Sequence, residues 1–143
     1  MNQVSEILAD KGRNVLEIDA DATVRDAVKA MVDANVGSLL VTSSGDVVGI
    51  VTERDYLRRV ALEGRTDDDT TVGEIMTAPL VVVGPETSID ECMAVITDRR
   101  IRHLPVVEEG TVVGLVSIGD LVKFRSKQQS FELQYLTEYI NAH

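Results

Sequence analysis

Apolar and polar positions alternate along this chain in an order that is played through twice. Val15-Leu16-Glu17-Ile18 is a short apolar run that predicts a strand. Val24, Ala27, Val28, Met31 and Val32 then fall at helical spacing, with Thr23 placed as N-cap and Asp26 three residues on. Leu39–Thr42 and Val47–Thr52 are strand-length apolar runs around Ser43-Ser44-Gly45-Asp46, the pattern of a hairpin. The unbroken stretch Val47–Val51 suits a strand covered on both faces. A second helix is predicted to open after Thr52.

The second passage sits 65 residues later (114 − 49), with Gly49-Ile50-Val51-Thr52-Glu53-Arg54-Asp55 returning as Gly114-Leu115-Val116-Ser117-Ile118-Gly119-Asp120. At that offset Leu80–Val83 predicts the strand, and Ser88 with Glu91 predicts the helix N-terminus through a capping box. Ile89, Cys92, Met93 and Ile96 give the helix face; Leu104–Val107 and Val112–Ser117 give the hairpin. Upstream, Val4-Ser5-Glu6-Ile7-Leu8 is echoed by Val72-Gly73-Glu74-Ile75-Met76 at an offset of 68 (72 − 4). Internal repetition of this length is an architectural signal.

The expected fold class is therefore α+β (mixed α/β): two pseudo-symmetric repeats, each a small mixed sheet with two packed helices, plus a C-terminal helix. Along the chain the expected division is 1–65, a polar connector 66–71, 72–125 and 126–143. In the last part Phe131, Tyr135 and Tyr139 make one stripe and Leu133, Leu136 and Ile140 another, so a helix over 127–142 is expected to pack on the body or on a second subunit.

Composition narrows the function. Aromatics are only 3% of the chain, so the repeats must pack by aliphatic contact. A net charge of −10 argues against nucleic acid and anionic membrane surfaces as partners. One cysteine and two histidines make a metal centre unexpected, and Asp67-Asp68-Asp69 lacks the alternating ligands of a calcium loop. With no run of 18 apolar residues and no signal-peptide start, the chain reads as a soluble cytoplasmic protein. No nucleophile sits in a base-and-orienter motif, so no catalytic residue is assigned.

The candidate chemistry lies at the two strand-to-helix turns. Asp55 and Asp120 could accept both hydroxyls of a ribose, while Thr52, Ser117 and the open N–H groups of the first helical turn could meet phosphate. The same residues also make an ordinary N-cap with an acidic first turn, as Thr23 and Asp26 do. Arg99, Arg100, Arg102 and His103 are the densest basic run; Arg99 and Arg100 suit a helix C-terminus. Arg54 could reach phosphate or pair on the helix surface, and Cys92 belongs to the core face rather than to a reactive site.

The doubled Gly-apolar-Val-Thr/Ser-x-x-Asp motif, Arg102-His103-Leu104-Pro105-Val106-Val107 and Glu74-Ile75-Met76-Thr77 together resemble the CBS domain, named after cystathionine β-synthase. A tandem pair is called a Bateman module, and the resemblance is to stand-alone pairs, over residues 4 to about 125. It implies a regulatory fold that binds adenine nucleotides (AMP, ADP, ATP or NAD, with S-adenosylmethionine ranked behind these) in the cleft between repeats. It also implies homodimers and an unidentified regulated protein.

The resemblance further implies crosswise sites, in which Thr52 and Asp55 join Arg102 and His103, and Ser117 and Asp120 join Gly37 and Ser38. The first is then expected to hold phosphorylated ligands more tightly. By the same analogy Val15, Leu16 and Val36 line one adenine site and Leu80, Val81 and Ile101 the other. Two other functions are weighed: a nucleotide-independent interaction module working through its dimer surface and C-terminal helix, and an enzyme related to inosine monophosphate dehydrogenase. The second lacks any barrel or catalytic cysteine loop.

Overall fold

The computed structural model describes residues 2–128. The helix expected over 127–142 lies almost wholly outside the described residues. Along the chain run α1 (Val4–Lys11), β1 (Glu17–Asp19), α2 (Val24–Ala34), β2 (Ser38–Ser43), β3 (Asp46–Thr52) and α3 (Glu53–Tyr56), which continues as a π-helical turn, Leu57–Ala61. Then come α4 (Val72–Ile75), α5 (Ile89–Arg99), β4 (His103–Glu108), β5 (Thr111–Ser117) and α6 (Ile118–Gln128). The α+β class holds. Helix α6 runs straight through the expected boundary at 126. No helix among the described residues is long and apolar enough to cross a membrane.

In space the chain forms two compact units, and they regroup the repeats. One holds residues 15–80; the other holds, among the described residues, 2–14 with 81–128. Each lead-in helix thus belongs to the body of the other repeat. In the first unit α4 buries Val72 and Ile75 among Val24, Ala27, Met31, Leu39, Val41 and Val51. In the second, α1 buries Val4, Ile7 and Leu8 among Ile89, Cys92, Ile96, Leu104, Val106 and Val116. The entry of each lead-in is pinned the same way, by a Thr23–Thr71 bridge in one unit and a Gln3–Ser88 bridge in the other.

The hairpins repeat in detail. Strand β2 pairs antiparallel with β3, with a register shift after Val41; β4 pairs with β5, with a shift after Val106, 65 residues on (106 − 41). Their two-residue loops, Ser44-Gly45 and Glu109-Gly110, have positive φ throughout, the primed geometry that matches strand twist. Caps appear where expected: Thr23 Oγ1 accepts the Asp26 N–H at 3.2 Å and Ser88 Oγ accepts the Glu91 N–H at 3.1 Å. The return bond at Ser88 differs from a capping box, since the Glu91 carboxylate meets the Ser88 hydroxyl instead of its N–H.

The first strands depart from expectation. Strand β1 covers Glu17–Asp19 rather than 15–18 and runs parallel to β2. Its counterpart, expected over 80–83, shrinks to one bridge between Val83 and Val106. Two prolines explain the loss. In the first unit Leu40 N–H bonds Leu16 O at 3.0 Å and Ala20 N–H bonds Thr42 O at 2.8 Å. At the same offset Pro105 and Pro85 stand in place of Leu40 and Ala20, and neither has an N–H to give.

The 66–71 connector is not merely solvated. Thr70 is buried, its hydroxyl bonds Thr66 O at 2.7 Å, and its carbonyl takes the Val24 N–H at 2.8 Å. Arg25 pairs with Asp67 and Asp68.

The motif glycines are sites of close approach. A Cβ on Gly49 would stand 2.7 Å from Met76 Sδ and 2.9 Å from the Thr77 carbonyl; on Gly114 it would stand 2.7 Å from Leu8 Cδ2. Gly49→Ala and Gly114→Ala should each cost about 1–3 kcal/mol in urea unfolding, the usual cost of overpacking. Gly49→Ala should cost more, because it meets backbone; the reverse order would refute this account of the seat. Burial, with Glu91 nearby, pushes the Cys92 thiol up to about 11. A disulfide reagent should therefore leave Cys92 unlabelled in the folded protein and label it on unfolding, and fast labelling of native protein would contradict its core placement.

Candidate functional site

The turn after β3 is built from its own strand end. Thr52 Oγ1 accepts the Asp55 N–H at 3.2 Å, and Asp55 Oδ2 accepts the Thr52 N–H at 2.9 Å and its hydroxyl at 3.2 Å. This is a reciprocal cap with aspartate as the acid. The other oxygen, Asp55 Oδ1, accepts the Thr77 hydroxyl at 3.0 Å. Thr77 arrives there because Met76 leaves the helix in extended geometry, so that Thr77 N–H reaches Ile50 O at 2.8 Å and Ile50 N–H reaches Thr77 O at 3.1 Å. Ser38 lies across the ladder from Thr52, and Gly37 O takes the Glu53 N–H at 3.1 Å. The Glu53 carboxylate lies over Gly37, where a Cβ would come within 2.6 Å of Oε1.

The turn after β5 repeats the cap. Asp120 N–H bonds Ser117 Oγ at 3.1 Å and Ser117 N–H bonds Asp120 Oδ2 at 2.9 Å. His103 lies across from Ser117, and Arg102 O takes the Ile118 N–H at 2.9 Å. The remaining donor is different. Lys11, the last residue of α1, gives its ammonium to Asp120 Oδ2 at 2.7 Å and to Leu115 O at 3.0 Å. Leu115 corresponds to Ile50. One ammonium therefore serves the carbonyl and the carboxylate that Thr77 serves with its N–H and hydroxyl. Burial works to raise the Asp120 carboxyl, but the Lys11 hydrogen bond, the Ser117 cap and the charge of Lys11 outweigh it and hold it below its ordinary value.

Within one unit the structure thus gathers Gly37, Ser38, Thr52 and Asp55, and within the other Arg102, His103, Ser117 and Asp120. Leu16 and Val36 are 45% and 39% exposed, an open aliphatic surface in the first unit. Val15 is half-buried there, as are Leu80, Val81 and Ile101 in their units, while Arg54 and Arg102 point to solvent. Sequence reasoning missed Lys11, Thr77 and Glu53. Thr77 had a signal, since it lies in the Glu74–Thr77 lead-in; Lys11 had none, because at the lead-in offset it meets Pro79. Among the described residues no cluster of His, Cys, Asp and Glu could hold a metal ion.

Lys11→Met tests the electrostatics of the second turn. A carboxyl held low contributes stability that is complete above its ordinary value of 3.8 and is lost as pH falls through the lower folded-state value. The variant should lose about 0.5–1 kcal/mol at neutral pH, a modest figure because the pair is partly exposed and screened. The deficit should close in acid below the folded-state titration. Urea unfolding at both pH values reads it, and an equal deficit at both would show that the ion pair is not its source.

Comparison with known proteins agrees with this fold. The CBS domain family model matches residues 4–62 and 72–127. The mitochondrial CBS domain-containing protein CBSX3 of Arabidopsis thaliana is 42% identical over 96% of this chain and 71% of its own length. A solved structure of a protein with CBS domains from Burkholderia ambifaria is 47% identical, covers 90% of this chain and 97% of its own, and superposes with a TM-score of 0.86. The CBS domain pair of protein MJ0100, solved in complex with methylthioadenosine and S-adenosylmethionine, shares the fold at a TM-score of 0.76 and 22% identity, covering 89% of this chain and 98% of its own. With two family matches in tandem over most of its length, each containing the same capped turn, the chain belongs to the CBS domain family.

Proposed function

We propose that this chain is a regulatory module that binds adenine nucleotides of the AMP, ADP, ATP or NAD class and passes its ligand state to a partner protein. The observation that carries the reading is the doubled turn: a hydroxyl and a carboxylate at the end of a core strand, opening a helix, 65 residues apart (120 − 55). At the Thr52 turn, Oδ2 of Asp55 holds the cap and Oδ1 holds only a side-chain hydroxyl from exposed Thr77. A ribose hydroxyl could replace that Thr77 donor like for like without breaking the cap. The open faces of Leu16 and Val36 suit one wall of an adenine. Val15 belongs to the same wall, and Leu80, Val81 and Ile101 to the other site. A CBS pair of the same fold holds adenosine ligands in the MJ0100 complex.

Regulation follows from differential affinity. A ligand that binds one arrangement of the module better than another shifts the population toward it, and a partner that contacts the shifted surface reads the change. A homodimer is the proposed assembly. This is a binding role and not a catalytic one. S-adenosylmethionine stays behind the nucleotides as a ligand.

Thermal unfolding with AMP, ATP, NAD and S-adenosylmethionine tests the reading. A ligand at 100 times its Kd should add about 2.7 kcal/mol, and Asp55→Asn with Asp120→Asn should abolish the gain. Stabilisation by none of them would favour the nucleotide-independent interaction module. Arg102→Ala should weaken AMP by about ten- to hundredfold, the worth of one charge-assisted contact. The family resemblance couples Arg102 to Asp55, whereas the geometry inside its unit sets it beside Asp120. A double-mutant cycle on AMP affinity decides: coupling to Asp55 supports the crosswise site, coupling to Asp120 the local one.

A further inference from the structure

We propose that Arg59 is a positioning residue for the ligand at the Thr52–Asp55 turn: from the π-helical turn it holds the end of α4, so that the Thr77 hydroxyl stays at the turn when a ribose takes Asp55. The inference rests on the nucleotide reading above and adds to it the group that keeps one side of that turn in register.

Helix α4 stops after Ile75 because Met76 turns extended, with ψ 156°. A helix that ends there leaves its last carbonyls without donors. In a continuing helix the Ile75 carbonyl would take the N–H of residue 79, and residue 79 is a proline. Arg59 supplies what the chain cannot. Its Nη1 gives to Ile75 O at 3.1 Å and to Met76 O at 3.2 Å. A permanently charged donor suits two carbonyls at a helix end, where the peptide dipoles turn their negative side outward.

Arg59 reaches α4 because the two elements share a core. Helix α3 widens into the π turn Leu57–Ala61, closed by the Leu62 N–H on Leu57 O at 3.1 Å. Val60 in that turn is buried in the same cluster as Val72 and Ile75. The other unit has no such clamp. At the 65-residue offset (124 − 59) Phe124 stands in place of Arg59, packed against the core from α6. There α1 runs on to Lys11 over eight residues, where α4 has four.

The clamp lies beside the residue that closes the turn. Thr77 N–H bonds Ile50 O at 2.8 Å, its carbonyl takes the Ile50 N–H at 3.1 Å, and its hydroxyl gives to Asp55 Oδ1 at 3.0 Å. The Thr77 backbone is thus held on two sides, by the strand and by Arg59 through the preceding carbonyls. A ribose hydroxyl that takes Oδ1 releases the Thr77 hydroxyl, which on a fixed backbone needs only a side-chain rotation to donate to an oxygen of the same ligand. Without Arg59 the two carbonyls turn to water and the lead-in can lift from the strand, taking the hydroxyl with it. Arg59 therefore acts through Thr77 and not on the ligand itself.

Hydrogen exchange and an NMR titration with AMP test the proposal. Arg59→Met should speed exchange of the Thr77 and Ile50 amides about tenfold, the loss of a charge-assisted contact, and leave the Leu40 and Ala20 amides of the same unit at their original rates. It should also weaken AMP several-fold, read on the amides of Thr52 and Asp55. Arg59→Lys, which keeps a cationic donor, should retain most of both properties. Thr77→Val should weaken AMP to a similar extent, and Arg59→Met added to it should lower the affinity no further. Unchanged exchange at Thr77 and Ile50 would overturn the clamp. Faster exchange with unaltered AMP affinity, or losses that add in the double variant, would overturn the positioning role and leave the nucleotide reading intact. AMP that shifts the amides of neither turn in the unmodified protein would overturn the two together.

Discussion

Each half of this molecule depends on a glycine that leaves a strand bare. Gly49 and Gly114 sit mid-strand in β3 and β5, and at each the lead-in segment comes closer than any side chain would permit. Met76 and Thr77 lie on Gly49; Leu8 lies on Gly114. That seat is why Val72 and Ile75, or Val4, Ile7 and Leu8, can be drawn into a core of small aliphatic side chains. It is also why the end of the lead-in reaches the capped turn. Thr77 bonds Asp55 only because the segment bearing it lies flat on the strand, and Lys11 reaches Asp120 from a helix held on its neighbour. Packing at one glycine thus sets the chemistry six residues further along the chain (55 − 49, 120 − 114).

Much of this was legible because it is local. Caps at Thr23, Ser88, Thr52 and Ser117 follow from a hydroxyl placed before an apolar helical face, and the hairpins follow from two strand-length runs around a glycine. The repeat made each of these readings twice over. The regrouping of the lead-ins was not legible. The echo of Val4–Leu8 in Val72–Met76 shows that two equivalent segments exist, and equivalence cannot say which body each one joins. The short second strand was readable in principle, since Pro85 and Pro105 are plain in the sequence. Their effect appears only when Leu40 and Ala20 are known to donate the bonds that those prolines cannot.

Lys11 illustrates a different limit. It bonds Asp120 across 109 positions of chain, and its counterpart in the repeat is a proline, so neither proximity nor periodicity points to it. A lysine at the end of a helix has an ordinary explanation in the helix dipole, and that explanation is sufficient until the fold supplies a carboxylate.

The two turns show how a duplicated site loses its equality without losing its frame. The cap is conserved in geometry at both, because its donors and acceptors come from residues three apart and need nothing from elsewhere. The groups that close the turn come from elsewhere and are under no such constraint. An N–H and a hydroxyl serve at one turn and an ammonium serves at the other, meeting equivalent carbonyls and carboxylates with different charge, the hydroxyl on the oxygen free of the cap and the ammonium on the cap oxygen itself. Hydrogen-bond satisfaction is indifferent to that exchange, so the fold tolerates both. A ligand is not indifferent, because it meets a neutral hydroxyl beside one carboxylate and a charged ammonium beside the other. Specificity in such a pair therefore lies in the segments that close each turn more than in the motif that the repeat preserves.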